Sequence, residues 1–144
     1  MRTFKRFHRG DGAQSLVEFA LILPIFLLLI TGLFDLARAV WQENTLAYAA
    51  REGTRWAIVH GSGSVTPVGP VNSAEPNISS IVRNAAVGVG SITISTAWPD
   101  GGNDRGQRVS VDATSTFIPL PSYYLLGSLF HIDLRGGSML VIEN

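Results

Sequence analysis

Hydrophobic residues dominate one stretch near the start of the chain. The run from Leu16 to Phe34 is apolar except at four positions, Glu18, Pro24, Thr31 and Gly32. An α-helix needs about 20 apolar residues to cross the roughly 30 Å of hydrocarbon in a bilayer. The run therefore predicts a transmembrane helix over residues 16–34. The alternative is a helix buried in a soluble core, but the rest of a 144-residue chain is too small to surround it.

The helical pattern continues beyond the apolar run. No strong breaker separates Phe34 from Arg51, and this part is rich in alanine, leucine, arginine and glutamate, which favour helix. We expect one helix over residues 14–59, about 65 Å long at 1.5 Å per residue. Pro24 lacks a backbone N–H and is expected to kink the helix, which a membrane tolerates.

Turn residues and a second apolar period follow this helix. Repeated glycine, serine and proline predict a linker loop over residues 60–77. Residues 79–89 predict a short helix, with Asn77 or Ser79 as its cap. It would open an α+β domain over residues 78–144.

Two segments of this domain alternate with a period of two, which is typical of half-buried strands. Residues 91–98 place Ile92, Ile94, Thr96 and Trp98 on one face, and residues 107–117 do the same with Val109, Val111, Ala113 and Phe117. The turn-rich residues between them predict an antiparallel hairpin. A third strand is predicted over residues 138–144, and its consecutive apolar residues predict burial on both faces, in a central or helix-covered position. Residues 118–137 are expected to form an apolar loop close to the membrane or to a partner. The predicted fold class is α+β: a long transmembrane helix extended into a small antiparallel sheet.

Charge is distributed unevenly along a chain whose net charge is zero. Arg2, Lys5, Arg6 and Arg9 cluster before the apolar run, and only Asp11 opposes them. Cytoplasmic loops of membrane proteins carry such an excess, which predicts a cytoplasmic leader over residues 1–13 and a domain outside the cytoplasmic membrane. From Glu18 onward seven arginines face ten acidic residues, a net charge of −3, so nucleic acid is not an expected partner.

A cleaved secretory signal is the main competing interpretation of the first forty residues. Ala37, Arg38 and Ala39 have the small-x-small form that signal peptidases accept. Against a cut after Ala39, the apolar run is longer than the usual 7 to 15 residues, and Asp35 and Arg38 intrude before the cut.

Glu18 is the feature that neither alternative explains. A carboxylate inside a membrane segment costs about 2.5–3.5 kcal/mol on insertion scales, so its presence requires a partner. If a peptidase cut after Ala13, the new ammonium of Gln14 would lie within one helical turn of Glu18, and a charge pair within or between subunits would become possible. A solvated or snorkelling acid is the alternative.

The N-terminal sequence resembles a known family. Its elements are "QSLVEFAL", Pro24, "GLFDLARA" and "AAREGTRWA", which together resemble the TadE-like proteins, minor pilins or pseudopilins of the tight-adherence (Flp) pilus system, over residues 12–58. The resemblance implies removal of the leader by a prepilin peptidase and a carboxylate at position five of the mature chain. Glu18 matches that position if the cut follows Ala13. The family usually has glycine before the cut, whereas here Gly12 precedes Ala13, and a cut after Gly12 would put Glu18 at position six.

The resemblance also implies a function in binding and assembly. The expected partners are the prepilin peptidase, the major pilin, sibling pseudopilins, the inner-membrane assembly platform and membrane lipid. An unprocessed single-pass membrane protein with a binding or scaffold domain is the alternative.

Enzymatic chemistry finds little support in the sequence. The chain has no cysteine, and its three histidines lack neighbours at metal-ligating or catalytic spacing, so we predict no catalytic residues, no metal site and no cofactor. Residues 100–104 place two carboxylates and an amide on a glycine-rich loop, where calcium binding competes with ordinary turn chemistry.

Overall fold

The computed structural model describes residues 11–70, 75–126 and 129–143, so most of the predicted leader lies outside the described residues. Within these ranges the elements are α1 (Asp11–Ile58), α2 (Pro76–Ala85), β1 (Ile92–Ala97), β2 (Arg108–Phe117), α3 (Leu120–Leu126) and β3 (Ile132–Val141). The long helix followed by a small antiparallel sheet confirms the predicted α+β fold with a candidate membrane span.

Helix α1 has two halves with different surroundings. Its apolar half forms the candidate membrane span, and the most hydrophobic stretch has a mean hydropathy of 2.5 with no residue buried against the rest of the protein. Its second half packs on the sheet, as the full burial of Leu46, Ala49, Ala50 and Thr54 shows. The exposed first half excludes the interpretation that the apolar run is a core helix.

The three strands form one antiparallel sheet in the order β1-β2-β3. Ile94 of β1 pairs with Ala113 of β2, and Ala113 pairs with Gly136 of β3. Burial alternates along β1 and β2 as the period of two predicted. The predicted hairpin and the inward-facing residues of both its strands are therefore confirmed.

The core lies between one face of the sheet and the helices α1 and α2. Its buried hydrophobic members are Leu46, Ala49, Ala57, Val68, Ile78, Val82, Ala86, Ile92, Ile94, Trp98, Val109, Val111, Ala113, Phe117, Leu134 and Ile142. Two glycines allow the layers to approach. A Cβ on Gly53 of α1 would come within 2.6 Å of the Val82 side chain of α2, and a Cβ on Gly136 of β3 would overlap the backbone of α1 at Leu46 and Ala47.

The structure corrects three predictions for the second half of the chain. Strand β3 begins at Ile132 rather than at residue 138, and it lies at the edge of the sheet. Met139, Leu140 and Val141 are exposed, so the prediction of burial on both faces is wrong. Helix α2 begins at Pro76, inside the predicted linker loop, with Glu75 as its N-cap residue. The third correction is α3, which occupies part of the segment predicted as an apolar loop.

Candidate functional site

The residues predicted for processing and assembly lie in the first turns of α1. Gly12, Ala13, Gln14 and Glu18 are all exposed on this helix. Their common helical segment brings two of them into contact, because Gln14 Nε2 donates a hydrogen bond of 3.0 Å to Glu18 Oε1. Residues four apart share a helix face. The bond after Ala13 therefore lies one helical turn from the carboxylate.

Glu18 is isolated from other charges along the span. The sequence contains no other charged residue between Asp11 and Asp35. The Thr31 hydroxyl donates to the backbone carbonyls of Leu27 and Leu28, at 2.9 and 3.1 Å, so this polar group is satisfied within α1. The Glu18 carboxylate is accordingly the charged group that the apolar half of the helix presents to its surroundings.

A second polar cluster marks the upper end of the apolar half of α1. Asp35 is 6% exposed, and its Oδ2 accepts a hydrogen bond of 2.6 Å from the backbone N–H of Leu120, the first residue of α3. Arg38 Nη2 lies 3.1 Å from Asp35 Oδ1 and donates a 2.8 Å hydrogen bond to the Ile118 carbonyl. The guanidinium carbon also lies 4.6 Å from the centre of the Phe117 ring. We call Asp35 and Arg38, with these partners, the α1–α3 clasp.

The clasp was only partly predictable. Asp35 and Arg38 are three positions apart, a spacing that puts an acid and a base on one helix face, and they form an ion pair. Their bonds to residues more than 75 positions later have no local pattern. Pro121 in the first turn of α3 was the available signal for a helix there, because proline favours that position.

The clasp also bears on the alternative of a secretory signal. The bond after Ala39 lies inside α1, next to the arginine that holds the Ile118 carbonyl. Ala39 itself packs against the hydrophobic core. A cut there would separate Arg38 from the segment it fixes, so the structure favours an intact α1 at this bond.

Helix α3 runs back along the apolar half of α1. Its start lies beside Asp35, and Phe117, Pro119 and Pro121 line a groove with Gly32, Leu36 and Ala39. Further along, Leu120, Pro121 and Tyr124 face Pro24, Leu27, Leu28 and Thr31 across a second apolar groove. This second groove connects the domain to residues inside the candidate membrane span.

The loop considered for calcium holds an ion pair between Asp100 and Arg108. Both carboxylate oxygens of Asp100 are bound by Arg108, at 2.7 and 3.1 Å from the guanidinium and 2.8 Å from the backbone N–H. These hydrogen bonds lower the pKa of Asp100 below its ordinary value. The carboxylate therefore closes the β1–β2 turn. In the described part of the chain, no three acidic or histidine side chains are grouped to hold a metal ion.

Comparison with known proteins concerns the helix. The sequence model of the family described as TadE-like protein matches residues 13–55. No curated protein and no solved structure gives a significant match. The matched stretch contains Gln14, Glu18 and the Asp35–Arg38 pair, and it continues into the half of α1 that packs on the sheet. Residues 13–55 are therefore similar to the TadE-like proteins, a pilus-associated structural family.

Proposed function

We propose that this protein is a minor pilin or pseudopilin of the tight-adherence (Flp) pilus system. It is inserted in the cytoplasmic membrane, its leader is removed by a prepilin peptidase after Ala13, and it then joins the pilus assembly. The observation that carries the proposal is one carboxylate, Glu18, five residues into the processed chain on an exposed apolar helix of TadE-like sequence.

The geometry of α1 suits successive burial in two apolar environments. Its first half exposes large hydrophobic side chains all round, including Leu16, Phe19, Ile22 and Phe26. In the membrane these side chains contact lipid, and in a filament they contact the helices of the major pilin and of sibling pseudopilins. Van der Waals packing drives such helix association in the absence of water. The function is therefore binding, and no reaction is assigned to the chain.

Processing changes the partner of Glu18. Before the cut, the carboxylate accepts from the neutral side-chain amide of Gln14. After a cut at Ala13, Gln14 carries a backbone ammonium one turn away, so the carboxylate gains a partner of opposite charge in surroundings of low dielectric, where opposite charges attract more strongly than in water. The ammonium can belong to the same subunit or to a neighbour in the assembly.

The orientation of the protein follows from its two ends. The basic residues of the leader favour a cytoplasmic N-terminus. At the other end of the apolar half, Asp35 and Arg38 are the first charged residues after the span. The sheet that follows carries polar side chains on its outer face, among them Asp112, Thr114 and Arg135. These features support a domain on the outer side of the cytoplasmic membrane.

The N-terminal mass of the protein purified from membranes tests the processing step. The protein is expressed with and without the organism's prepilin peptidase. We expect a peptidase-dependent start at Gln14. A start at Ala13 would move the cut to Gly12 and Glu18 to position six. An intact leader in both strains would contradict the proposal and favour an unprocessed single-pass protein.

Substitution of Glu18 tests the assembly step. Glu18→Gln keeps the shape of the side chain and removes its charge, and Glu43→Gln, on an exposed part of α1 beyond the span, is the matched control. We expect Glu18→Gln to insert and to lose its leader normally but to be depleted from purified pili, whereas Glu43→Gln is incorporated normally. Normal incorporation of Glu18→Gln would refute the assigned role of the carboxylate.

A further inference from the structure

The segment around α3, residues 117–132, exposes apolar side chains although it belongs to the domain that follows the membrane span. Tyr124 is 78% exposed, Leu129 83% and Phe130 55%. From Phe117 to Ile132 the sequence contains no aspartate, glutamate, lysine or arginine. The outward-facing side chains of β2 are polar, whereas α3 exposes Tyr124 beside the first half of α1.

The position of α3 along α1 gives its depth. Its Tyr124 end lines the same groove as Pro24, Leu27, Leu28 and Thr31. At 1.5 Å per residue, these four residues lie about 6 to 16 Å below Asp35 along the helix axis. If residues 16–34 of α1 cross the hydrocarbon, then α3 lies beside them within the outer leaflet.

Most backbone nitrogens at the start of α3 do not need water as a hydrogen-bond partner. The first four N–H groups of a helix lack partners within the helix, and in lipid each unsatisfied group costs several kcal/mol. Here Pro119, which precedes α3, and Pro121 have no N–H, and the Leu120 N–H donates to Asp35. Three of these four positions therefore need no water.

We propose that α3 is a second membrane-embedded element, which inserts beside α1 into the outer leaflet and whose groove against α1 is filled by lipid acyl chains. This inference rests on the membrane insertion of α1 contained in the proposed function. Lipid is the occupant that the observations favour, because the groove is continuous with the exposed apolar surface of the span and has no charged residue at its level.

The absence of cysteine makes the depth of α3 directly measurable. A nitroxide is attached to Tyr124→Cys in the full chain, reconstituted in vesicles of phosphatidylethanolamine and phosphatidylglycerol. Leu28→Cys on α1 and Ser95→Cys on β1 are the reference variants. All three positions are exposed, so the label replaces no packed core residue. Collisions with apolar oxygen and with a polar nickel complex are compared by power saturation.

We expect the label at Tyr124 to resemble the label at Leu28, with collisions favouring oxygen several-fold more than at Ser95. A label at Tyr124 that resembles Ser95, while Leu28 favours oxygen, would overturn this inference and leave the insertion of α1 intact. Loss of access to both reagents, with dipolar broadening between labels, would also overturn it, because a second copy would then cover α3. If Leu28 itself resembled Ser95, the membrane insertion in the proposed function would fail together with this inference.

Discussion

Removal of the Asp35 carboxylate should release α3 from α1 while the sheet stays folded. In the structure this group accepts the Leu120 N–H at 2.6 Å and is almost fully buried. A hydrogen bond to a charged group contributes about 1.5–3 kcal/mol. The ion pair with Arg38 adds less than about 1 kcal/mol, because the arginine side chain is 38% exposed and solvent screens it.

The resulting cost of Asp35→Ala is about 2–3 kcal/mol for the docking of α3. Since about 1.4 kcal/mol corresponds to a factor of ten, the undocked population should rise by about 30- to 150-fold. The Tyr123 N–H, which donates to the carbonyl of Pro119 just before α3, reports this opening by native-state hydrogen exchange, because a seven-residue helix released from α1 is too short to keep its hydrogen bonds. Its protection should fall by the same factor, and protection in the central strand β2 should not change.

Asp133→Ala is the matched control for this measurement. Asp133 is an exposed aspartate on β3 that accepts a hydrogen bond from Thr116 at 3.0 Å, and it does not contact the α1–α3 clasp. Its removal should leave the protection of Tyr123 unchanged. Equal protection of Tyr123 in Asp35→Ala and Asp133→Ala would refute the argument that the Asp35 carboxylate holds α3.

Two further predictions concern the sheet and its turn. Gly136→Ala places a methyl group against the backbone of α1 at Ala47, which cannot move aside. The free energy of unfolding, measured by near-ultraviolet circular dichroism, should therefore fall by about 1–3 kcal/mol or more. Gly90→Ala, with nothing within 4 Å, is the control, and a similar loss there would contradict this account. The pKa of Asp100, measured by carboxyl NMR titration, should lie below the ordinary aspartate value and rise in Arg108→Gln. Because the pKa of Asp100 is lower in the folded than in the unfolded protein, its contribution to stability is present above the unfolded-state pKa and is lost as pH falls through the folded-state pKa. An Asp100 pKa that Arg108→Gln left unchanged would contradict the assigned cause.

Local patterns were sufficient for the helix and the hairpin. The apolar run required a long exposed helix, because hydrophobicity and helix propensity are properties of neighbouring residues. The period of two in residues 91–98 and 107–117 likewise determined which side chains of β1 and β2 face the core, and all of those predicted are buried. Glu18 was identified for the same reason, since a charge in an apolar run is visible without tertiary information.

Strand β3 and helix α3 depended on contacts distant in sequence. The apolar residues 139–141 resemble a buried strand, yet β3 lies at a sheet edge, and its core-facing positions are Leu134 and Gly136, which lie before that apolar run. Gly136 is required there because α1 approaches the strand too closely for a side chain.

The sequence by itself determined the apolar helix, its lone carboxylate, the hairpin and the similarity of residues 13–55 to TadE-like proteins. Only the tertiary structure decided that Asp35 binds the start of α3 and that α3 lies beside Pro24 to Thr31. The physical reason is the range of the interactions. Helix and strand periods arise from residues a few positions apart, whereas the hydrogen bond from Leu120 to Asp35 joins residues 85 positions apart and depends on the tertiary fold.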